Sequence, residues 1–91
     1  MTLESKENEI IDDSLSKLVE SRLNKYFTMH RHSNIPSGLY ARTISAIEKS
    51  MIKVTLKYTL GNKAKAAAIL GINRNTLYKK LKEFNLLSEE F

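Results

Sequence analysis

The chain has 91 residues, a formal net charge of +5, 42% hydrophobic residues and no cysteine. This length suits one small domain with a modest core, which dimerisation would stabilise. The lack of cysteine excludes disulfides and thiolate metal sites. No apolar run approaches the ~20 residues of a membrane span, and the acidic N-terminus argues against a secretory signal, so we expect a cytoplasmic protein.

Charge is distributed unevenly along the chain. Residues 1–13 hold five acidic residues against one lysine, a net of −4, whereas residues 61–85 hold a net of +5. The first segment has few apolar residues and no sustained period, so we predict a flexible acidic arm over residues 1–13. The basic segment predicts a polyanion as the partner of that end only.

A first long helix is predicted to begin at the acidic and cap residues Asp12, Asp13 and Ser14 and to run to about His30. Its apolar residues keep helical spacing; they are Leu15, Leu18, Val19, Leu23, Tyr26 and Phe27. We interpret His30 as a helix end rather than a metal ligand, because His32 would point elsewhere and no third ligand is in view. Residues 33–38 contain the only proline and predict a loop inside one domain.

A second long helix is predicted over residues 39–60. One apolar seam on it has spacings of 4, 3, 4, 3 and 4 residues: Tyr40, Ile44, Ile47, Met51, Val54 and Tyr58. This period of 3.5 residues is typical of a helix packed lengthwise against another helix. Ile52, Leu56 and Leu60 form a second stripe on a neighbouring face. Because the first helix alone cannot cover both faces, we predict that the C-terminal residues and a second subunit cover the rest.

Residues 61–81 predict two short helices joined by a tight turn. Gly61 and Gly71 suit the left-handed conformation that ends a helix, and Asn62 and Asn73 are good N-caps. The first short helix is predicted over residues 63–70, which are nearly all strong helix formers.

The second short helix carries an apolar stripe formed by Leu77, Leu81 and Phe84. The small Ala67 lies where the two helices would cross, a glycine lies in the turn, and Leu77 can anchor the second helix. This arrangement is typical of a helix-turn-helix.

The other face of the second helix is polar or basic. Its first side chains could reach base edges in the major groove of DNA, and the lysines behind them could reach phosphates. The alternative is a lysine-rich solvated helix in an ordinary bundle. The residues of this face are Asn73, Arg74, Asn75, Thr76, Tyr78, Lys79, Lys80 and Lys82.

Several short runs in this stretch match a known pattern: Gly61-Asn62, Ala66-Ala67, Gly71-Ile72-Asn73-Arg74, Thr76-Leu77 and Lys79-Lys80-Leu81. They resemble the helix-turn-helix of the Fis family, the factor for inversion stimulation. They are also similar to the Fis-like last domain of NtrC-type enhancer-binding activators. The resemblance is specific over about residues 39–87, weaker over 14–38 and absent over 1–13.

The resemblance implies an all-α fold with four helices per subunit. Two long helices of each subunit would interlock with those of the partner in a dimeric bundle, and a helix-turn-helix would follow. We therefore expect an arm at 1–13, a dimerisation region at 14–60, and a DNA-binding region with a short tail at 61–91. The expected dimer-interface residues are Leu23, Phe27, Tyr40, Ile44, Ile47, Met51, Val54 and Tyr58.

The resemblance also implies a homodimeric DNA-binding and DNA-bending protein of the bacterial nucleoid that regulates transcription. It would bind AT-rich bent sites in the major groove with loose sequence preference, and RNA polymerase would be a further partner. Asn73 and Arg74 would read bases. The full set of expected DNA-binding residues is Asn62, Lys63, Lys65, Asn73, Arg74, Asn75, Thr76, Tyr78, Lys79 and Lys80.

Two departures from the family pattern should alter recognition: Tyr78 replaces the usual arginine, and Ala64 replaces a common threonine.

We find no nucleophile–base signature, phosphate-cradling loop or metal-ligand cluster in the sequence, so we expect no enzyme activity, no cofactor and no metal. Residues 1–13 lack an Asn-Gly or Asp-Gly turn, which speaks against the family's invertase-contacting hairpin. Two alternatives stay open: the output domain of an NtrC-type regulator, and a helical protein-interaction module.

Overall fold

The computed structural model describes residues 6–7 and 9–91. These residues form four α-helices and no strand, preceded by one π-helical turn at Ile10–Ser14. The helices are α1 (Leu15–Met29), α2 (Leu39–Tyr58), α3 (Lys63–Leu70) and α4 (Arg74–Glu83). The predicted all-α class with four helices is confirmed. Within the described part of the chain, none of these helices has the length and apolar character that crossing a membrane requires.

The described residues divide into two compact units, one up to Ser37 and the other Gly38–Phe91. In the first unit, the prediction that Ser14 caps α1 is wrong. Its backbone is helical rather than extended, and its side chain makes no cap hydrogen bond. The π-helical turn runs directly into α1, with the Leu15 N–H donating to Ile11 O, so Ser14 lies inside a continuous helical stretch rather than at its start.

The other end of α1 is as predicted. The helix ends at Met29, and the backbone N–H of His30 donates to Tyr26 O at 3.2 Å. The His30 ring lies 4.5 Å from the Tyr26 ring, between centroids. The prediction of a flexible arm falls partly on residues 1–5 and 8, which lie outside the described residues, and it stays a prediction.

The core of the second unit joins α2 to the helix-turn-helix. The predicted stripe residues Ile52 and Leu56 are buried there, which confirms that the C-terminal residues cover one apolar face of α2. Leu86, just beyond α4, closes this core. The buried apolar residues are Ile52, Leu56, Ala66, Ala67, Leu77, Leu81 and Leu86.

The prediction that Leu60 continues this stripe is wrong. Helix α2 ends at Tyr58, and Leu60 is left-handed with φ 54° and is 83% exposed. The Gly61 N–H donates to Leu56 O at 2.8 Å, and the Leu60 N–H donates to Lys57 O at 3.2 Å. These two bonds form a Schellman motif in which leucine takes the position that usually belongs to glycine. The reversal of the chain at Leu60 turns its side chain out of the stripe.

The 3.5-residue seam of α2 lies on a different face from the core. At 100° per residue, its mean direction is about 140° from that of Ile52 and Leu56. Its members are largely exposed, with Tyr40 at 82%, Tyr58 at 76% and Val54 at 66%. Nothing within the second unit therefore buries this seam.

Candidate nucleic-acid interface

The turn between α3 and α4 has the geometry that the glycine and asparagine predict. Gly71 has φ 72°, and the Ile72 N–H donates to Ala67 O at 3.0 Å. Asn73 is extended, and its side-chain oxygen accepts from the Asn75 N–H at 2.7 Å. A Schellman motif thus ends α3 and a side-chain cap starts α4. Only residues 71–73 separate the two helices, which fixes their mutual angle.

Small residues bring α3 and α4 close together. Ala66 and Ala67 of α3 are buried, as are Leu77 and Leu81 of α4. Because an alanine side chain ends at Cβ, the leucines can pack directly against the backbone of α3. Burying one face of α4 leaves its other face on the surface.

The junction before α3 is held by hydrogen bonds from two polar residues. The Asn62 side-chain oxygen accepts from the Lys65 N–H at 3.1 Å, as expected of an N-cap. The buried Thr59 hydroxyl donates to Asn62 O at 3.1 Å. Asn62 is therefore fixed in place, with its side-chain NH₂ still able to donate. Lys63 and Lys65 are exposed beside it.

Four of the predicted DNA-binding residues meet at one place on the surface. Lys63, Arg74, Asn75 and Tyr78, together with Leu77, line a depression between the beginnings of α3 and α4. The Lys63 ammonium lies 6.0 Å from the centroid of the Tyr78 ring, at the limit of a cation–π contact. The depression therefore combines two cations, an amide and a phenol.

The outermost face of α4 is also polar. Lys79 lies about 180° and Asn75 about 140° from the Leu77–Leu81 stripe. Thr76 is about 120° from the stripe and is exposed like both of them. A helix with side chains is about as wide as the major groove, so a helix lying in the groove would turn these three side chains toward the DNA and its phosphate-lined walls.

Lys80 is placed differently from the other predicted contacts. It lies on the flank of α4 opposite to Tyr78, and its Nζ is 3.1 Å from Glu48 Oε2 of α2. A second carboxylate, that of Glu83, is 3.7 Å away. The hydrogen bond that the Lys80 ammonium donates to Glu48 is the main cause that raises the pKa of Lys80 above its ordinary value of 10.5, against an opposing effect of desolvation. Lys80 is thus joined to α2 instead of the depression.

Sequence reasoning missed Glu48. Its signal is nevertheless present, because Glu48 precedes the buried Ile52 by four residues and so shares its side of α2. An acidic residue beside a buried stripe indicates a basic partner on the helix that packs there.

In residues 6–7 and 9–91, no group of three or more His, Asp or Glu residues is arranged to hold a metal ion.

Comparison with protein families gives a direct match. The family described as "Bacterial regulatory protein, Fis family" matches residues 43–84. This range takes in most of α2 and all of α3 and α4, so it contains the candidate interface and every buried core residue except Leu86. No solved structure gives a significant match to the chain.

Two kinds of curated relative are similar to the chain. It is 40% identical over 74 residues to the DNA-binding transcriptional regulator NtrC of Azospirillum brasilense, covering 81% of this chain and 15% of that protein. The NtrC of Rhizobium meliloti is 42% identical over 73 residues, with 80% and 15% coverage. The DNA-binding protein Fis of Buchnera aphidicola subsp. Schizaphis graminum is 35% identical over 81 residues, covering 89% of this chain and 82% of that protein.

Proposed function

The chain belongs to the Fis family of bacterial regulatory proteins and carries its helix-turn-helix DNA-binding domain, and we propose that it works as a homodimer that binds and bends DNA to regulate transcription. The supporting observation is the surface at the start of α4, where Arg74, Asn75 and Tyr78 are exposed beside Lys63. The buried apolar stripe of α4 and the N-caps of α3 and α4 hold these residues in place. Binding DNA would therefore require little further loss of conformational entropy.

The contacts we propose divide into two classes. Asn73 and Arg74 read base edges, with the Arg74 guanidinium bidentate to a guanine. The phosphate contacts come from exposed side chains around them, which fix the register without reading sequence. We assign these to Asn62, Lys63, Lys65, Asn75, Thr76, Tyr78 and Lys79.

The exposed seam of α2 supports the homodimer. Its 3.5-residue period matches lengthwise helix packing, and its large apolar side chains are exposed in the single chain. We propose that a second copy covers the seam and that Leu23 and Phe27 of α1 also belong to the interface between the two subunits. The two-fold symmetry would present the α4 helices of the two subunits, as recognition helices, to successive major grooves, about 34 Å apart.

A single aspartate in the seam tests the dimer. In analytical ultracentrifugation, Val54→Asp should shift the protein from dimer to monomer, because a carboxylate would be buried without a partner. Ala46→Asp is the matched control, since Ala46 is exposed on another face of α2 and should leave the dimer intact. A Val54→Asp variant that stays dimeric would exclude the seam as the interface.

Arg74 tests DNA binding itself. Binding of an AT-rich duplex with guanines at the site ends should weaken by about 1–3 kcal/mol in Arg74→Ala, with relaxed preference for guanine. Arg31→Ala removes the same charge outside the helix-turn-helix and serves as the control. Equal binding by the two variants would exclude Arg74 as a base contact.

Charge and DNA deformability supply much of the affinity in this proposal. Raising the salt from about 50 to 200 mM should cost a factor of about 10³–10⁵ if a dimer makes six to ten phosphate contacts. Fluorescence transfer between dyes at the two ends of the duplex should report bending at saturation. A nearly flat salt dependence or an unbent bound duplex would each contradict this part of the proposal.

The similarity to two NtrC proteins supports a second proposal, in which the domain is the DNA-binding output part of a longer regulator. The chain spans only 15% of those proteins. An antibody against the helix-turn-helix distinguishes the two forms in a cell extract. A band at 10.4 kDa supports the small Fis-like form, and a much larger band supports the output domain.

A protein-interaction role is the remaining alternative. Leu60 and Ile69 are exposed large apolar residues of the second unit that belong neither to the seam nor to the proposed DNA contacts. They are the side chains that would support contact with RNA polymerase. In that case Leu60→Ser should weaken polymerase binding while Arg74→Ala leaves it unchanged, as measured by pull-down with purified polymerase.

A further inference from the structure

Helix α2 carries two different surfaces on opposite sides. Ile52 and Leu56 face the helix-turn-helix, and the exposed seam lies about 140° away. Glu48, one turn before Ile52, lies on the helix-turn-helix side. A bond from Glu48 to α4 therefore ties the recognition helix to the same helix that holds the partner in the proposed dimer.

Lys80 provides this bond. The two side chains are half-buried, at 31% and 28% exposure, and their charged atoms are 3.1 Å apart. By contrast, Lys79 and Lys82 are exposed and take part in none of the ion pairs formed among the described residues. A phosphate that took the Lys80 ammonium would leave the half-buried Glu48 carboxylate without its partner, which costs free energy.

We infer that Lys80 and Glu48 are positioning residues that set the angle of α4 on α2, and that Lys80 is not a phosphate contact. The inference rests on the proposed dimer and its DNA binding. Because α2 carries both the ion pair and the seam, the angle of α4 sets the separation of the two recognition helices. The pair therefore determines which half-site spacing the dimer prefers.

The test measures salt dependence and spacing preference together. Wild type, Lys80→Met, Glu48→Gln and Lys79→Met are titrated against duplexes whose guanine half-sites are moved apart one base pair at a time. Lys79→Met should lower the steepness of the log–log salt dependence by about 2 per dimer and keep the preferred spacing, because each subunit loses one phosphate contact. Lys80→Met and Glu48→Gln should keep the wild-type steepness and bind neighbouring spacings almost equally.

Charge reversal separates positioning from phosphate binding. In a Glu83→Gln background, which removes the second carboxylate near Lys80, the double variant Glu48→Lys with Lys80→Glu should restore the spacing preference. A glutamate at a phosphate contact would instead make this variant bind worse than either single change.

Two results would overturn the inference: a salt dependence reduced as much in Lys80→Met as in Lys79→Met, or no rescue by charge reversal. Both results can be obtained only if the wild-type protein binds the duplexes. A wild-type dimer that binds none of the duplexes at low salt overturns the proposed function instead, so the two failures are distinguishable.

Discussion

Leu60 occupies a backbone conformation that suits glycine, and this allows a quantitative test of the fold. Its φ of 54° places Cβ against the following carbonyl oxygen, which costs about 1–2 kcal/mol for a residue other than glycine. The side chain is 83% exposed, so its removal gives up little burial. Replacing Leu60 with glycine relieves the strain but adds about 0.4–1 kcal/mol of chain entropy to the unfolded state.

Taking the middle of each range, about 1.5 kcal/mol of relieved strain less about 0.7 kcal/mol of added entropy, the net expectation for Leu60→Gly is a stabilisation of about 0.5–1 kcal/mol. For a chain of this size, that raises Tm by roughly 2–8 °C. Thermal unfolding followed by circular dichroism measures the change. All variants are compared at one protomer concentration, because the stability of a dimer depends on concentration.

Leu60→Ala is the matched control. It removes the same side-chain atoms but keeps Cβ, so the left-handed strain remains and the stability should stay within about 0.5 kcal/mol of wild type. If Leu60→Gly is no more stable than Leu60→Ala, the left-handed backbone at Leu60 does not carry the strain that its positive φ indicates. A loss of stability in both variants would show instead that the leucine side chain is buried in the assembled protein.

Three further changes test the core, the cap and the ion pair. Leu81→Ala should lose about 2–5 kcal/mol in urea unfolding, because Leu81 is fully buried and leaves a cavity; a loss below 1 kcal/mol would contradict the core described here. Asn62→Ala should lose about 1 kcal/mol through its missing cap bond, whereas Asn62→Asp keeps an acceptor and should lose less. Because Glu48 raises the pKa of Lys80, the pair's stabilisation is fully present below pH 10.5 and is lost as the pH rises through the folded-state pKa. The stability difference between wild type and Lys80→Met should therefore shrink above pH 10.5, and an unchanged difference would contradict the pairing.

The helix-turn-helix could be predicted closely because its signals are local. The observed bounds of α3 equal the predicted ones, and Asn62, Gly71 and Asn73 cap or end helices as expected. Each of these residues acts through hydrogen bonds to backbone groups within a few positions of itself. The burial of Leu77 and Leu81 follows from helical periodicity, which is equally local.

The two wrong predictions, at Ser14 and at Leu60, have a common cause: each position depends on the conformation of the neighbouring backbone. Serine is a residue type that often caps helices, but the residues before Ser14 are already helical, and the Leu15 N–H donates to Ile11 O. Leu60 fits the spacing of Ile52 and Leu56, but the chain reverses one residue before the glycine. Periodicity assumes that a helix continues, and it cannot by itself locate the residue at which the backbone leaves it.

The sequence by itself determined the helical class, the family and the exposed polar face of α4, since these depend on local hydrogen bonding and on the alternation of apolar and polar residues. Only the tertiary structure decided what those polar residues contact. It placed Lys63 beside Tyr78 and joined Lys80 to Glu48, although residues 63 and 78, and 48 and 80, are far apart along the chain. Side chains of the same type on one helix acquire different roles because the packing of α2, α3 and α4 gives one lysine a carboxylate partner and leaves another facing solvent.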